Sequence, residues 1–372
     1  MKIALFIFRF GPSHGSILQT YALTRTLERM GHDVTIIDRQ RPITAKKLLL
    51  SSLAVIKRIA TLRFNFDGIL LTEYPQKIMD KLVVFLNKEL KSQTITVHSE
   101  KELKSLGRAG YDAYIVGSDQ TWRPKYVYNI YNYYLDFVPQ DRNVKRVAYA
   151  VSFGTSQWEY TEEQEKRCKS LVSLFDGVSV REDEGIALCK NHYDIDAKHV
   201  LDPTLLLEAE DYRKVTSILP SRTAYVGYNF LDYSDEKMQI LGMVSRFLGI
   251  PGRQINNLTE MPGETMKGRV APSIDEWISG IANATFVIAD SFHATVFAIL
   301  FHRPFIAVGN VKRGLSRFQS ILKHTGLSER LVISPNEVTS SLIQNEINWE
   351  AVDEQLAVAR QASQRFINSC LS

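Results

Sequence analysis

The sequence predicts an α/β protein made of two Rossmann-like, doubly wound halves facing a cleft, and three observations carry that prediction. Short continuous apolar runs, YIV at 114–116 and FVIA at 286–289, end in polar turns, as parallel strands covered on both faces do. Helical patterns alternate with these runs, so consecutive strands are joined by crossovers. The alternation restarts near residue 205, and 372 residues are enough for two cores. We place an N-terminal domain at 1–205, a C-terminal domain at 206–335, and closing helices at 336–372 that reach back across the interface.

The first unit opens with a strand at 3–8, a loop at 9–15, a helix at 17–30 ended by Gly31, and a strand at 34–37. The loop RFGPSHGS has two glycines but not the G-x-G-x-x-G spacing, so a dinucleotide is not indicated. A phosphate or sugar cradle and a plain tight turn both remain open readings. His14 in this loop and Gln19 in the helix are candidate substrate contacts. The segment KKLLLSSLAVIKRIATLRF at 46–64 repeats Leu49, Leu53, Ile56 and Ala60 at helical spacing among Lys46, Lys47, Lys57, Arg58 and Arg63. Such a helix packs on its own protein or lies on an anionic membrane surface.

A strand at 114–116 delivers Gly117, Ser118, Asp119 and Gln120 to the carboxyl end of the sheet, where open parallel sheets bind ligands. Asp119 is either a site carboxylate or the cap of a following helix. Strands at 144–152 and 176–181 follow, the second ending on Arg181. A guanidinium there suits bidentate binding of a carboxylate or phosphate, or a salt bridge to Glu182, Asp183 or Glu184. The run HVLDPT at 199–204 reads as the last strand of this half, closed by Pro203.

The second half reads as a strand at 223–228, a helix at 234–248, a strand or loop at 252–258, and a helix at 273–281. Ser273 and Glu276 form a capping box at the start of that helix. The stretch ATFVIADSFHATVFAILFHRPFIAVG at 284–309 is a strand, a polar turn, a helix from about 293 to 301 and a further strand. Asp290 and Ser291 supply capping chemistry, and His293 falls in the first helical turn. Free N–H groups and positive potential at a helix start favour an anion, which a histidine there can bind or protonate. Helices at 315–323, 339–345 and 349–369 complete the chain.

Composition narrows the classes. A formal charge of +4 with scattered basic residues suits a small anionic substrate but not nucleic acid. Cys168, Cys189 and Cys370 lie far apart, with no zinc-ligand spacing and no disulfide framework, so no metal is expected and a reducing cytoplasm is the simplest home; no cofactor is expected either. The apolar run in MKIALFIFRFGP is too short for a signal-peptide core, and no run reaches transmembrane length.

Seven segments in order, GSILQTYAL, IVGSDQTW, YYLDFVP, RVAYAVSFG, VSVREDEG, VLDPTLLL and DSFHATVFAILFHRPF, resemble the successive blocks of the polysaccharide pyruvyltransferase family, from about residue 3 to about residue 318. The resemblance implies a fold of the glycosyltransferase B type, with the N-terminal domain on the acceptor side and the C-terminal domain on the donor side. It also implies transfer of a pyruvyl unit from phosphoenolpyruvate to a sugar of a bacterial surface or exopolysaccharide repeat, as a cyclic ketal, with release of phosphate. Carried over by position, Arg181 would hold the donor anion, and His293 would bind its phosphate or protonate its methylene carbon. Asp119 would be the base for the sugar hydroxyl, with Ser118 and Gln120 as sugar contacts. The implied partners are phosphoenolpyruvate and a sugar acceptor, free or lipid-linked, met in the cytoplasm or at the inner face of the membrane. One position departs from the pattern: Ser291 stands where several members carry an arginine two residues before the histidine. Arg303 and His302, at the far end of the same helix, do not replace it directly.

Two other readings stay open on the same scaffold. One is a glycosyltransferase using a nucleotide sugar, with Asp275 and Glu276 as candidate ribose contacts; the other is a non-catalytic subunit of a polysaccharide-assembly complex.

Overall fold

A computed structural model describes residues 1–42, 76–117, 119–218, 220–257, 266–309 and 314–372; Ser118 and the basic segment 46–64 lie outside them. The N-terminal half supplies strands β1 (Lys2–Ile7), β2 (Asp33–Arg39), β3 (Thr94–Val97), β4 (Ala113–Val116), β5 (Lys145–Val151), β6 (Gly177–Val180) and β7 (Lys198–His199). They form one parallel sheet in the order β3-β2-β1-β4-β5-β6-β7. The second sheet is built from β8 (Val226–Asn229), β9 (Gly252–Gln254), β10 (Phe286–Ala289), β11 (Phe305–Val308) and β12 (Leu331–Val332), in the parallel order β12-β11-β10-β8-β9.

Each order reverses direction once, between β1 and β4 in the first sheet and between β8 and β10 in the second. At such a reversal the connecting helices leave to opposite faces, and a crevice opens at the carboxyl ends of the two strands. The apolar runs of β1, β4 and β10 are buried along nearly their whole length, as strands covered on both faces require.

The helices used below are α1 (His14–Arg29), α2 (Gln76–Glu89), α3 (Glu100–Gly107), α4 (Glu162–Val172), α5 (Asp183–Leu188), α6 (Asp235–Leu248), α7 (Ile274–Ala282), α8 (Phe292–Leu300), α9 (Ser316–His324) and α10 (Trp349–Leu371). Helix α1 begins three residues before the periodic pattern does. Ser13 is extended and its hydroxyl accepts from the Ser16 N–H, so it is the cap, and His14 and Gly15 belong to the first turn rather than to a loop. The capping box of α7 forms with Ser273 and Glu276, and Ser291 caps α8. The 199–204 run is not a long strand. β7 ends at His199, and Asp202 caps a short turn at Pro203–Leu205 by accepting the Thr204 N–H at 3.0 Å.

One apolar cluster joins the halves, running from Ile3 and Leu5 through Tyr21 and Leu27 to Tyr212, Phe297 and Phe305. Separate clusters cover the outer faces of the two sheets. Helix α10 lies against β5 and β6. Leu201 donates its N–H to Ser363 Oγ at 3.0 Å, and a Cβ on Gly177 would stand 2.2 Å from Cys370 Sγ.

Candidate active site

The two crevices open onto one cleft of about 420 Å³. Phe8 and Arg9 after β1 and Asp119 and Gln120 after β4 form one wall, while Asn229 at the end of β8 and Asp290 to His293 after β10 form the other. The starts of α1 and α8 both face this space, because Ser13 to Ser16 and Ser291 to His293 line it. Two helix starts aimed at one cleft make it receptive to anions.

Asp119 is held in an unusual backbone state. Its φ is +82°, in the left-handed region that costs a residue with a Cβ about 1–3 kcal/mol. A bridge to Val151 and the Ser152 N–H bonded to its carbonyl at 3.1 Å fix it there. The result turns its carboxylate to the cleft, where Oδ1 accepts the Gln120 N–H at 2.9 Å and Arg181 Nη2 at 3.2 Å. Gln120 Oε1 accepts from Arg123 at 3.0 Å, and Gly154, at φ +70°, leaves room for it, since a Cβ there would meet that oxygen at 1.9 Å.

Arg181 lies one layer beneath the cleft. Its side chain is 0% exposed and it does not line the cavity. Nη1 donates to Asp202 at 2.6 Å, Nη2 to Asp119, and Nε stands 3.8 Å from Glu182. Burial works against its charge, yet Asp202, Asp119 and Glu182 outweigh that and raise its pKa. The salt bridge foreseen to Glu182 is the longest of the three, and the two short ones go to carboxylates far away in sequence. Glu182 turns instead to the loop after β5, accepting from Ser152 Oγ at 2.7 Å and Phe153 N–H at 3.0 Å, and burial pushes its carboxyl up.

Asp202 is the hub that sequence reading missed. Its Oδ2 accepts from Gln19 and Arg181 and stands 3.7 Å from His293 Nε2, while Oδ1 accepts the Thr204 hydroxyl at 2.6 Å. Burial alone would raise its carboxyl, but His293, Arg181 and Thr204 hold it well below the usual range. His293 is buried beside this carboxylate in the first turn of α8, with its ring packed on Gly15, where a Cβ would lie 2.0 Å from Nδ1. His14 lines the cleft too, but its Nε2–H donates to the Pro272 carbonyl at 2.9 Å and its ring stacks on Trp277. Burial lowers its pKa to about 4, so it is neutral near pH 7.

Of the residues chosen from sequence, Asp119, Gln120, His14, Ser291 and His293 meet at the cleft. Gln19 and Arg181 stand behind it on Asp202, and Ser118 lies outside the described residues. Asp290 is engaged with Lys237 at 2.6 Å and with the Leu231 N–H at 2.7 Å, bracing the loop after β8. Arg317, in the first turn of α9, lines the cleft beside them.

The fold has solved counterparts. A UDP-N-acetylglucosamine 2-epimerase from Listeria monocytogenes superposes with a TM-score of 0.55 at 8% identity, covering 96% of this chain and 90% of that one. MnaA from S. aureus, solved with UDP, gives a TM-score of 0.50 at 13% identity, covering 99% and 95%. At these identities the likeness concerns the fold alone. No curated protein matches the sequence. Two doubly wound domains closing on a polar, anion-receptive cleft define a protein of the glycosyltransferase B fold class. The model of the polysaccharide pyruvyl transferase family matches residues 14–312, and the chain belongs to that family.

Proposed function

We propose that this protein moves the pyruvyl unit of phosphoenolpyruvate onto two hydroxyls of a sugar in a bacterial surface or exopolysaccharide repeat, forming a cyclic ketal. The observation that carries the reading is the pairing of His293 with Asp202 at the start of α8, facing the strained Asp119 across the cleft. His293 donates a proton to the methylene carbon of the donor, making a methyl group and an oxocarbenium-like centre. A sugar hydroxyl adds to that centre and gives its proton to Asp119. The second hydroxyl then displaces phosphate, which leaves with the second hydroxyl's proton. The buried Asp202 carboxylate stands 3.7 Å from His293 Nε2 and orients the ring, and Arg181 bridges Asp202 and Asp119.

The reaction requires no cofactor in this reading. The acceptor is free or lipid-linked and is met in the cytoplasm or at the inner membrane face. No helix among the described residues is long and apolar enough to cross a membrane.

Thermal-shift titration tests the donor. A ligand that binds only the folded state raises its apparent stability, so phosphoenolpyruvate is expected to give a saturable shift, and UDP- and GDP-sugars none. A shift with a nucleotide sugar alone overturns the reading in favour of glycosyl transfer. Silence from all ligands favours a non-catalytic subunit. With an accepted sugar, His293→Ala is expected to lower kcat by about 10²- to 10⁴-fold with an unchanged circular dichroism spectrum. Full activity in that variant removes His293 from the chemistry.

A further inference from the structure

A doubly anionic donor needs a cation at the cleft surface, and Arg181 does not stand there. Its guanidinium is 0% exposed and is committed to Asp202 at 2.6 Å and Asp119 at 3.2 Å. The cap position of α8, Ser291, is uncharged and uses its hydroxyl on the Ala294 N–H. Arg317 approaches the same place from another element. It projects from the first turn of α9, and it lines the cleft together with Asp119, Ser291, Phe292 and His293.

The two guanidiniums share one aromatic ring. The Arg181 carbon Cζ lies 5.0 Å and the Arg317 Cζ 5.8 Å from the centroid of Phe292. Phe292 therefore fixes both arginines at the start of α8, one below the cleft and one beside it. We propose that Arg317 is the side chain that grips the anionic group of the donor, with the N–H groups of the α8 start completing the site, while Arg181 only positions the carboxylates beneath. The proposal rests on the phosphoenolpyruvate reading for the identity of the donor, but not for the existence of an anion-binding arginine.

The electrostatics run the same way. Burial, with Arg181 as the next cause, lowers the Arg317 pKa to about 10, and Asp119 and Glu182 oppose this only in part. A phosphate or carboxylate arriving beside this guanidinium favours its charged form and so works against that lowering. The planar fork also matches either anion in a way that a lysine does not. Placement on α9 gives a second consequence: the donor's anion would be held entirely by the C-terminal domain, by α8 and α9, leaving Asp119 and Gln120 free to receive the acceptor.

Calorimetric titration of wild type, Arg317→Gln and Arg317→Lys with phosphoenolpyruvate, inorganic phosphate, pyruvate and UDP tests this. Urea midpoints of each variant check that the fold is intact. Loss of one charge-assisted contact is expected to weaken phosphoenolpyruvate binding by about ten- to a hundredfold in Arg317→Gln, with partial recovery in Arg317→Lys. A matching loss for phosphate but not for pyruvate assigns the phosphate to Arg317, and the reverse assigns the carboxylate. Unchanged phosphoenolpyruvate affinity in a folded Arg317→Gln overturns the role of Arg317 and leaves the donor reading standing. If wild type ignores phosphoenolpyruvate but binds UDP, and Arg317→Gln weakens UDP, the anion grip stands and the donor reading falls. Binding of none of the four ligands by wild type overturns both.

Discussion

Arg181 answers to three carboxylates at once, and its removal has a cost that depends on burial rather than on contact number. Asp202 has a side chain 2% exposed, so without Arg181 it would be a buried charge short of its principal cation. Removing one partner of such a pair typically costs about 3–5 kcal/mol. Arg181→Met is therefore expected to lower urea-unfolding stability by about that amount. Arg181→Lys should recover part of the stability but not the fork that joins Asp119 to Asp202. A stability loss below about 1 kcal/mol in Arg181→Met would mean that His293, Gln19 and Thr204 satisfy Asp202 without it. The role of Asp202 also shows what could not be read in advance. In VLDPT it looks like the polar residue before a strand-ending proline. Its partners come from α1, from the end of β6 and from the start of α8, and no local pattern announces a hub assembled across three elements. His293 and Asp119 were legible because each follows a buried four-residue strand, where the sheet edge itself marks the site.

Between elements, α1 approaches the start of α8 closely at the site. Gly15 makes it possible, since the His293 ring occupies the volume of the missing Cβ, with Nδ1 2.0 Å from the ideal position. The reason for glycine is the close approach, because Gly15 is an ordinary helical residue in α1. Gly15→Ala should favour α1 as a helix by about 0.5–1 kcal/mol while pushing His293 away from Asp202. The expected outcome is a kcat lowered by about tenfold to a hundredfold with a melting temperature changed little, since a displacement near 1 Å suffices for such a loss. A variant with wild-type kcat would show that His293 need not keep this position.

The same scale separates the elements that sequence pattern reveals from those it hides. α8, whose nine residues are all buried, and β10 stand out by continuous apolarity. β3 is an edge strand, TITV, with two exposed residues, and α4 buries only Cys168 and Val172 in a highly charged sequence. Neither has an apolar stripe wide enough to read. Yet α4 has a complete capping box at Thr161 and Gln164, and α3 has one at Ser99 and Glu102, so capping chemistry was the available signal for both.

At the scale of the whole molecule, the cleft exists only while the two halves hold their relation, and two neutral imidazoles sit on that boundary. His14 on α1 donates to Pro272 ahead of α7, stacks on Trp277, and has Glu276 nearby. His199 on β7 hydrogen-bonds to Ser320 of α9 at 2.9 Å and to the Arg181 carbonyl at 3.2 Å. It also stacks on His324, and Asp183, itself paired with Lys323, faces it from α5 at 3.9 Å. Burial lowers both pKa values to about 4, with His324 adding to the effect at His199. An imidazole freed by separation or unfolding returns to about 6.5 and so binds more protons than the closed form below that pH. The closed form is therefore fully favoured above about pH 6.5, and its advantage falls as pH drops toward about 4. Between about pH 7 and about pH 5 the two groups together should remove about 1–3 kcal/mol of stability, after allowance for the partial exposure of His199. Urea midpoints across that range measure the slope. His14→Gln, which keeps a donor for Pro272, and His199→Gln should each flatten it. Slopes equal to wild type in both variants would place the acid sensitivity elsewhere in the fold. If the slopes do flatten, acid should also weaken phosphoenolpyruvate binding before the chain unfolds, because Asp119 reaches the cleft from one half and His293 and Arg317 from the other.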